Sequence, residues 1–280
     1  MADIFEQTIQ KLAEFHIESP RLEARVLLAH VLHCQTSDII CNITLNSKQK
    51  NELNSLIQRR IAHEPLDKII GKREFYKSTF ITSNNVLSPR PDTEILVEEA
   101  LKIIPVDKNI NILDLGTGSG CIIESILQER PKAVGVAVDI SSAALQTAKQ
   151  NAANLKLINR LQFVQADWFE QNFAAQFAAE FDIIVTNPPY IPTNDIAALA
   201  PEVKNYDPLL ALDGGADGFA SYRRIAEVTP RLLAKGGYIF IESGYNQAKE
   251  IARIFTVQGL QLKNIVRDLA GIKRCVILQF

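Results

Sequence analysis

From residue 92 to its end the chain alternates between helical patterns and short β-rich runs, and such alternation is compatible with few folds. Apolar residues at helical spacing predict helices over 92–104, 119–129, 141–154, 218–233 and 247–256. Between and after them, runs rich in Val, Ile and Leu predict strands over 110–115, 134–138, 161–164, 182–186, 237–242, 260–266 and 274–278. Strands separated by helices of about ten to fifteen residues form βαβ units, and a crossover helix places successive strands parallel. The expected fold is therefore α/β: a doubly wound, mainly parallel, seven-stranded sheet.

The first ninety residues read differently. Ile4, Ile9, Leu12 and Phe15 make one helical stripe, and Leu22, Val26, Leu27, His30 and Val31 make a second. Ser19-Pro20 between them is a stop followed by a helix start, because proline is tolerated in a first turn. A third stripe, Leu53, Leu56, Ile57 and Ile61, begins near Ser47 and ends before Pro65. Over 69–86 the pattern shortens to β-rich pieces around Glu74-Phe75-Tyr76 and Thr79-Phe80-Ile81-Thr82, with Asn84-Asn85 as a turn signal. The expected organisation is a small helical domain over 1–65, a β-hairpin linker over 66–91 and the α/β domain over 92–280. A length of 280 residues fits two domains at about 150 residues each.

Composition narrows the function classes. Lys and Arg number 30 against 32 Asp and Glu, so no global positive field exists to hold a polyanion, and no stable nucleic-acid partner is expected. Apolar runs such as 133–138 are far too short to span a bilayer. The opening residues, Met1-Ala2-Asp3-Ile4-Phe5-Glu6, carry acids where a signal peptide needs basic residues and an apolar run, so a cytoplasmic location without a membrane partner is expected. Cys34, Cys41, Cys121 and Cys275 are scattered, which suits free thiols better than a disulfide framework. His30, His33 and Cys34 share one helix without a second ligand cluster, so no metal site is expected.

The first strand of the α/β domain ends in Asp114-Leu115-Gly116-Thr117-Gly118-Ser119-Gly120. Glycines there let the backbone turn tightly and approach a ligand outside the carboxyl end of the strand. Cys121 breaks the G-x-G-x-x-G/A spacing of dinucleotide enzymes, which disfavours a dehydrogenase. Asp139 ends the next strand, 23 residues after Gly116, where a carboxylate can accept both hydroxyls of an adenosine ribose. Asp167-Trp168 after the third strand adds an acceptor and a flat apolar surface for an adenine. S-adenosyl-L-methionine suits the set: a nucleoside to grip, and no pyrophosphate that needs a third glycine. The residues expected to bind it are Gly116, Thr117, Gly118, Ser119, Gly120, Asp139 and Trp168.

Asn187-Pro188-Pro189-Tyr190 follows the fourth strand. Two prolines fix the backbone and remove two N–H donors, which leaves neighbouring carbonyls free to accept from a ligand. A polar amide before them and an aromatic after them define a rigid slot for a planar group bearing an NH2. The nitrogen of such a group is a poor nucleophile because its lone pair is delocalised. One hydrogen bond of about 0.5–1.5 kcal/mol cannot restore it. Holding it in line with a methyl sulfonium can contribute about 7–11 kcal/mol. In this reading the Asn187 side-chain oxygen and the Pro188 carbonyl accept the two N–H bonds and Tyr190 packs on the planar group. Asn187, Pro188 and Tyr190 are thus the expected catalytic residues, and Asn187, Pro188, Pro189 and Tyr190 the expected substrate slot.

These motifs resemble those of class I S-adenosylmethionine-dependent methyltransferases that modify nitrogen. Within that class the chain is most similar to the PrmC/HemK family, the protein-glutamine methyltransferases of peptide chain release factors. Three further segments carry the resemblance: Ser88-Pro89-Arg90-Pro91-Asp92-Thr93-Glu94, Tyr206-Asp207-Pro208-Leu209-Leu210-Ala211-Leu212-Asp213-Gly214-Gly215 and Asp268-Leu269-Ala270-Gly271. The resemblance covers essentially the whole chain, including the helical start. It implies a Rossmann-like methyltransferase fold and methylation of the glutamine side-chain amide in the Gly-Gly-Gln motif of bacterial class I release factors, with S-adenosyl-L-homocysteine as product, and it adds Asn187 to the residues that would contact the cofactor. The family often has Ile before Pro-Arg-Pro and Glu-Ile-Gly after the fifth strand, where this chain has Ser88 and Glu242-Ser243-Gly244.

A planar amino group could also be an adenine or cytosine, so an amino-methyltransferase acting on nucleic acid is the alternative enzyme. Residues 48–77 hold eight Lys or Arg and four acids, which suits either a solvated helix face or salt-sensitive binding to RNA or a release factor. A non-catalytic adenosyl-binding protein is disfavoured by the intact slot beside an intact glycine loop. The segment 191–217 is longer than a connection requires and directly follows the slot. Together with the helical domain it is expected to form the surface that receives a protein loop.

Overall fold

The computed structural model describes residues 3–40, 43–178 and 180–280, which divide into two compact units. The first comprises residues 1–71 and 200–206; the second comprises 72–199 and 207–280.

The first unit opens with α1 (Ile4–Glu14), capped by the Asp3 carboxylate on the Phe5 N–H, and α2 (Pro20–Leu32), which has its proline in the first turn. In α3 (Ser47–Ile61), Asn46 and Gln49 cap each other reciprocally, at 2.9 and 3.0 Å. The helix α4 (Leu66–Ile70) lies where the sequence predicts only the approach to a hairpin. Phe5, Leu12, Leu27, Leu28, Leu53 and Ile57 centre the core.

Two predicted stripes need correction. Phe15 is exposed because α1 stops at Glu14, so its buried face is Phe5, Thr8 and Leu12. Leu22 is exposed because the buried face of α2 runs through Ala24, Leu27, Leu28 and Val31. A small alanine anchors that face, and a search for large apolar residues passes over it.

The second unit begins with a hairpin, β1 (Lys72–Phe75) and β2 (Ser78–Ile81), which turns at Tyr76-Lys77. The Tyr76 N–H donates to Glu94 at 2.9 Å, and Phe75 and Phe80 meet edge to face inside the unit's core. A 3₁₀ turn at Pro91–Thr93 leads into α5 (Glu94–Ile103). Then follow β3 (Asn111–Leu115), α6 (Cys121–Glu129), β4 (Val134–Asp139), α7 (Ser142–Asn154), β5 (Leu161–Gln165) and β6 (Phe181–Thr186). After α8 (Pro201–Lys204), within the stretch assigned to the first unit, come α9 (Ala220–Val228) and β7 (Leu233–Glu242). The chain closes with α10 (Ala248–Val257), β8 (Gln261–Arg267) and β9 (Lys273–Gln279). The helix predicted over 218–233 is shorter than expected: Pro230 sits in a 3₁₀ turn, and β7 already begins at Leu233.

The seven strands lie in the order β5-β4-β3-β6-β7-β9-β8, parallel except for β9, which runs antiparallel to both neighbours. Helices cover both faces, so β3 and β6 are buried almost throughout and read as continuous apolar runs. The chain winds outward from β3 through β4 to β5, then returns to place β6 on the other side of β3. Strand order therefore reverses between β3 and β6, and a crevice opens beyond their carboxyl ends. Asn151 of α7 ties the hairpin to this crevice: its Oδ1 accepts the Ile81 N–H at 2.7 Å, and its Nδ2 donates to the Ser119 carbonyl at 2.9 Å. Among the described residues no helix is long and apolar enough to cross a membrane.

Within the first unit, the stretch 200–206 is bonded to the helices. Glu202 lies 3.3 Å from His63 and 3.6 Å from Arg60, and the Tyr206 hydroxyl donates to the Ala62 carbonyl at 2.8 Å.

Candidate active site

A cavity of about 520 Å³ lies in the crevice beyond β3 and β6, of the size that holds a nucleoside-sized ligand. All five residues Gly116, Thr117, Gly118, Ser119 and Cys121 of the glycine loop and helix start line it, as do Asp139, Asp167 and Trp168. Gly120 is not in the wall; it caps α6 with a left-handed backbone. Of the predicted slot, Asn187 and Pro189 line the cavity. Pro188, between them in sequence, is buried.

Local geometry explains the loop. The N–H groups of Gly116 and Thr117 both donate to the Val138 carbonyl at 2.9 Å, folding the loop back over β4. Gly116 has φ +75°, and a Cβ there would stand 3.3 Å from the Trp168 ring, so glycine supplies both the backbone conformation and the room. Thr117 donates its hydroxyl to Asp114 at 2.7 Å. Asp114 is fully buried, and that burial pushes its carboxyl up to about 7. Behind the loop Glu124 is buried as well, with both carboxyl oxygens unpartnered among the described residues; burial raises it to about 10, and Asp114 adds to the rise. It is therefore held as the neutral acid.

Asp139 holds the cavity's other wall. One oxygen accepts the Gly118 N–H and the other the Ser141 N–H, each at 2.9 Å. Burial raises its pKa, and these backbone bonds oppose the rise. A carboxylate offers about four lone-pair sites, so two are left for a ligand's hydroxyls. Trp168 is fixed through its backbone, because Arg224 donates to the Trp168 carbonyl at 2.6 Å and to the Glu170 carbonyl at 2.7 Å. Its indole N–H is buried and has no partner among the described residues. A donor left so costs about 1–3 kcal/mol unless a ligand meets it. The unmet indole N–H, the spare acceptor sites of Asp139 and the close glycine backbone all fit an adenosyl group.

The slot is set by strand ends. Thr186 donates its hydroxyl to the Leu115 carbonyl at 2.7 Å, locking the end of β6 to the end of β3. The Asn187 Nδ2 donates to the Thr93 hydroxyl at 3.4 Å. Tyr190 is not among the residues that line the cavity. Its carbonyl accepts from Gln247 at 3.0 Å, its ring lies where a Cβ on Gly244 would collide, and burial pushes its phenol up to about 12, with Glu242 adding to the rise and Arg274 and Arg90 opposing it.

Several residues here carry no role in the sequence reading. Thr93 stands behind Asn187. Arg90 bonds Asp207 at 2.8 Å, joining two segments that the resemblance quotes, and Arg274 pairs with Asp92 at 2.9 Å and Asp268 at 3.1 Å. The Pro-Arg-Pro, Asp-Pro-Leu-Leu and Asp-Leu-Ala-Gly segments mark these places in the sequence, but only the fold shows what they touch. Leu209 and Leu210 line the mouth and are exposed at 59% and 66%, which gives it an apolar rim. Cys34 is half-buried and Cys121 and Cys275 are buried, all as free thiols, while Cys41 lies outside the described residues. Among the described residues no cluster of three or more His, Cys, Asp or Glu is placed to hold a metal ion.

Comparison with known proteins agrees with this architecture. Residues 106–273 match a family described as a methyltransferase domain, and residues 3–71 match the PrmC N-terminal domain. A release factor glutamine methyltransferase of Rhodospirillum rubrum is 42% identical over 93% of this chain and 79% of its own length. Its counterpart in Caulobacter vibrioides is 39% identical over 95% of this chain and 92% of its own, and that of Agrobacterium fabrum 38% identical over 94% and 91%. Identity at this level runs through both the helical unit and the sheet, and it places the chain in the release factor glutamine methyltransferase family.

Proposed function

We propose that this chain transfers a methyl group from S-adenosyl-L-methionine to the side-chain amide nitrogen of the glutamine in the Gly-Gly-Gln motif of class I release factors, leaving S-adenosyl-L-homocysteine. The observation that carries the reading is the placement of Asn187 in the wall of the same cavity as the glycine loop, Asp139 and Trp168. An acceptor for an amide N–H and a cradle for an adenosyl group thus share one enclosed space.

When bound, the cofactor supplies a methyl group made electrophilic by a sulfonium. Gly116, Thr117, Gly118 and Ser119 would hold it with backbone contacts, Asp139 through the ribose hydroxyls and Trp168 beside the base. The work of this chain's own residues is then orientation. Asn187 Oδ1 and the Pro188 carbonyl accept the two N–H bonds of the glutamine amide and turn its nitrogen toward the methyl. Fixing two reactants in line contributes about 7–11 kcal/mol, far more than any one of these hydrogen bonds. The two prolines keep the slot rigid, and Tyr190 supports it from the side of Glu242 and Arg274. No strong base is required, because the nitrogen becomes acidic as it is methylated and its proton is lost to water. The exposed Leu209 and Leu210 at the mouth suit a protein loop better than a charged polynucleotide backbone. The helical unit would recognise the body of the release factor, in the cytoplasm where translation ends.

The test is to incubate the chain with S-adenosylmethionine and a release factor, beside a copy whose Gly-Gly-Gln glutamine is replaced by alanine, and to read intact mass. One methyl on the first and none on the second is expected. Equal methylation of both would refute the assigned site. No methyl on either, with cofactor binding intact, would move the assignment to an amino group in nucleic acid.

A further inference from the structure

The end of β7 brings a buried acid against the slot. Strands β6 and β7 pair in parallel with Thr186 opposite Ile241, so the next residues, Asn187 and Glu242, leave the sheet side by side. Glu242 is buried, does not line the cavity, and keeps one carboxyl oxygen, Oε2, without a partner among the described residues. Thr93 and Asn187 stand close enough to its carboxyl to favour the charged form. Thr93, itself buried, also accepts the Asn187 Nδ2 at 3.4 Å. The amino end of Asn187 is thereby enclosed by acceptors, while the residue as a whole forms part of the cavity wall.

An asparagine amide has two ends of nearly equal size and opposite function, and only its partners decide which end points where. A hydroxyl such as Thr93 donates or accepts and so makes no choice. An ionised carboxylate accepts only. Beside Glu242 the amide must turn its NH2 inward, because the reverse orientation would set a carbonyl oxygen against a carboxylate. The oxygen is then left for the cavity.

We propose that Glu242 is a positioning residue for methyl transfer: its acceptor-only carboxylate fixes the side-chain amide of Asn187 with Nδ2 inward and Oδ1 presented to the substrate's N–H. The proposal rests on the function proposed above and assigns this acid a part in it.

The surroundings set the condition under which the device works. Burial pushes Glu242 up to about 7, against the nearby hydroxyl of Thr93, the charge of Arg274 on β9 and the amide of Asn187, with Asp92 adding to the rise. Tyr190 after β6, Tyr222 on α9, Cys121 on α6 and Cys275 on β9 also feel its charge, and burial holds all four as neutral groups well above pH 7. Among these neighbours Glu242 is thus the group that changes charge near neutrality. Once protonated, its carboxyl becomes a donor and no longer selects the orientation of the amide.

Two measurements on the full chain test this, each with wild type and Glu242→Gln. In ¹⁵N-labelled protein the side-chain amide signals of Asn187, assigned by their absence from Asn187→Asp, are expected to shift between about pH 6 and 8.5 in wild type and to stay fixed in Glu242→Gln. In methyl transfer to a release factor, Glu242→Gln is expected to lose about 10–100-fold in kcat. KM, cofactor Kd and Tm should stay near wild type, and the rise of kcat through neutral pH should vanish. Invariant Asn187 signals in wild type would overturn the proposal. So would a Gln variant with wild-type kcat and pH profile, or one in which kcat, cofactor affinity and Tm fall together. A wild-type chain whose Asn187 signals titrate but which leaves release factors unmethylated would refute the substrate reading and leave the Asn187–Glu242 coupling standing.

Discussion

Asp139 Oδ2 accepts the backbone N–H of Gly118 at 2.9 Å, across the gap between the end of β4 and the loop that follows β3. The acid that the sequence marks as a ribose acceptor therefore also holds the glycine loop in shape. Asp139→Ala removes both functions. With hydrogen bonds to a charged group worth about 1.5–3 kcal/mol each, the cofactor Kd should rise by at least about tenfold. Asp139→Asn keeps one carbonyl acceptor and should fall between the two. Titration calorimetry with S-adenosylhomocysteine reads the difference.

The glycines of the loop should separate by cause. Both Gly116 and Gly118 have a left-handed backbone, which costs a residue with a side chain about 1–2 kcal/mol. A Cβ on Gly118 meets nothing within 4 Å, whereas one on Gly116 meets Trp168 at 3.3 Å. Alanine at either position is expected to lower Tm by several degrees. Only Gly116→Ala should also displace the indole and weaken cofactor binding further, which quenching of the fluorescence of Trp168, the single tryptophan, would reveal.

Asn187→Ala should leave the fold intact and remove most turnover. Loss of a preorganised hydrogen-bonding group at the reacting centre costs about 10²–10³-fold in kcat. Single-turnover kinetics with saturating cofactor isolates that step, and an unchanged rate would remove Asn187 from the mechanism.

Buried acids give the stability a distinct pH dependence. Glu124 is held protonated up to about pH 10 in the folded chain, against an ordinary value of 4.5. Its contribution is complete below 4.5, where both states carry the proton, and is lost as pH rises toward 10. Asp114 acts in the same direction between 3.8 and about 7. Tm is therefore expected to fall from about pH 5 to pH 9. Glu124→Gln should flatten that fall by up to about 1.4 kcal/mol per pH unit, as pH-dependent thermal unfolding would measure.

A truncated chain separates cofactor binding from substrate recognition. The hairpin must be kept, because Ile81 is bonded to Asn151 and Asn85 lines the cavity. A cut before Lys72 that also replaces 200–206 with a short linker should retain cofactor affinity within a few-fold and lose release-factor methylation. Parallel loss of both activities would place substrate recognition elsewhere.

Sequence and structure divide this protein along a physical line. Hydrophobic period and turn chemistry are local, so the seven strands, most of the helices and the two motifs at the switch point are legible from residue order alone. The same holds for Gly116 and Asn187: a strand end followed by glycines, or by Asn-Pro-Pro, names its own position. Faces are less legible. Leu22 and Phe15 sit at apolar spacing yet face outward, because burial is decided by what packs opposite, here through a small Ala24 and a helix that stops at Glu14.

What the sequence by itself determined is the sheet, its winding and the two loops that meet at its crevice. Only the tertiary structure decided that Glu242 and Thr93 close on the amino end of Asn187, that Arg90 meets Asp207, and that Tyr190 lies on the side of Glu242 and Arg274 outside the cavity wall. The meeting of Asn187 with Glu242 follows from the register of strands far apart in sequence, Thr186 against Ile241, and the others from loops that the sheet brings together. No local pattern carries that register, because it is set by the packing of the whole sheet.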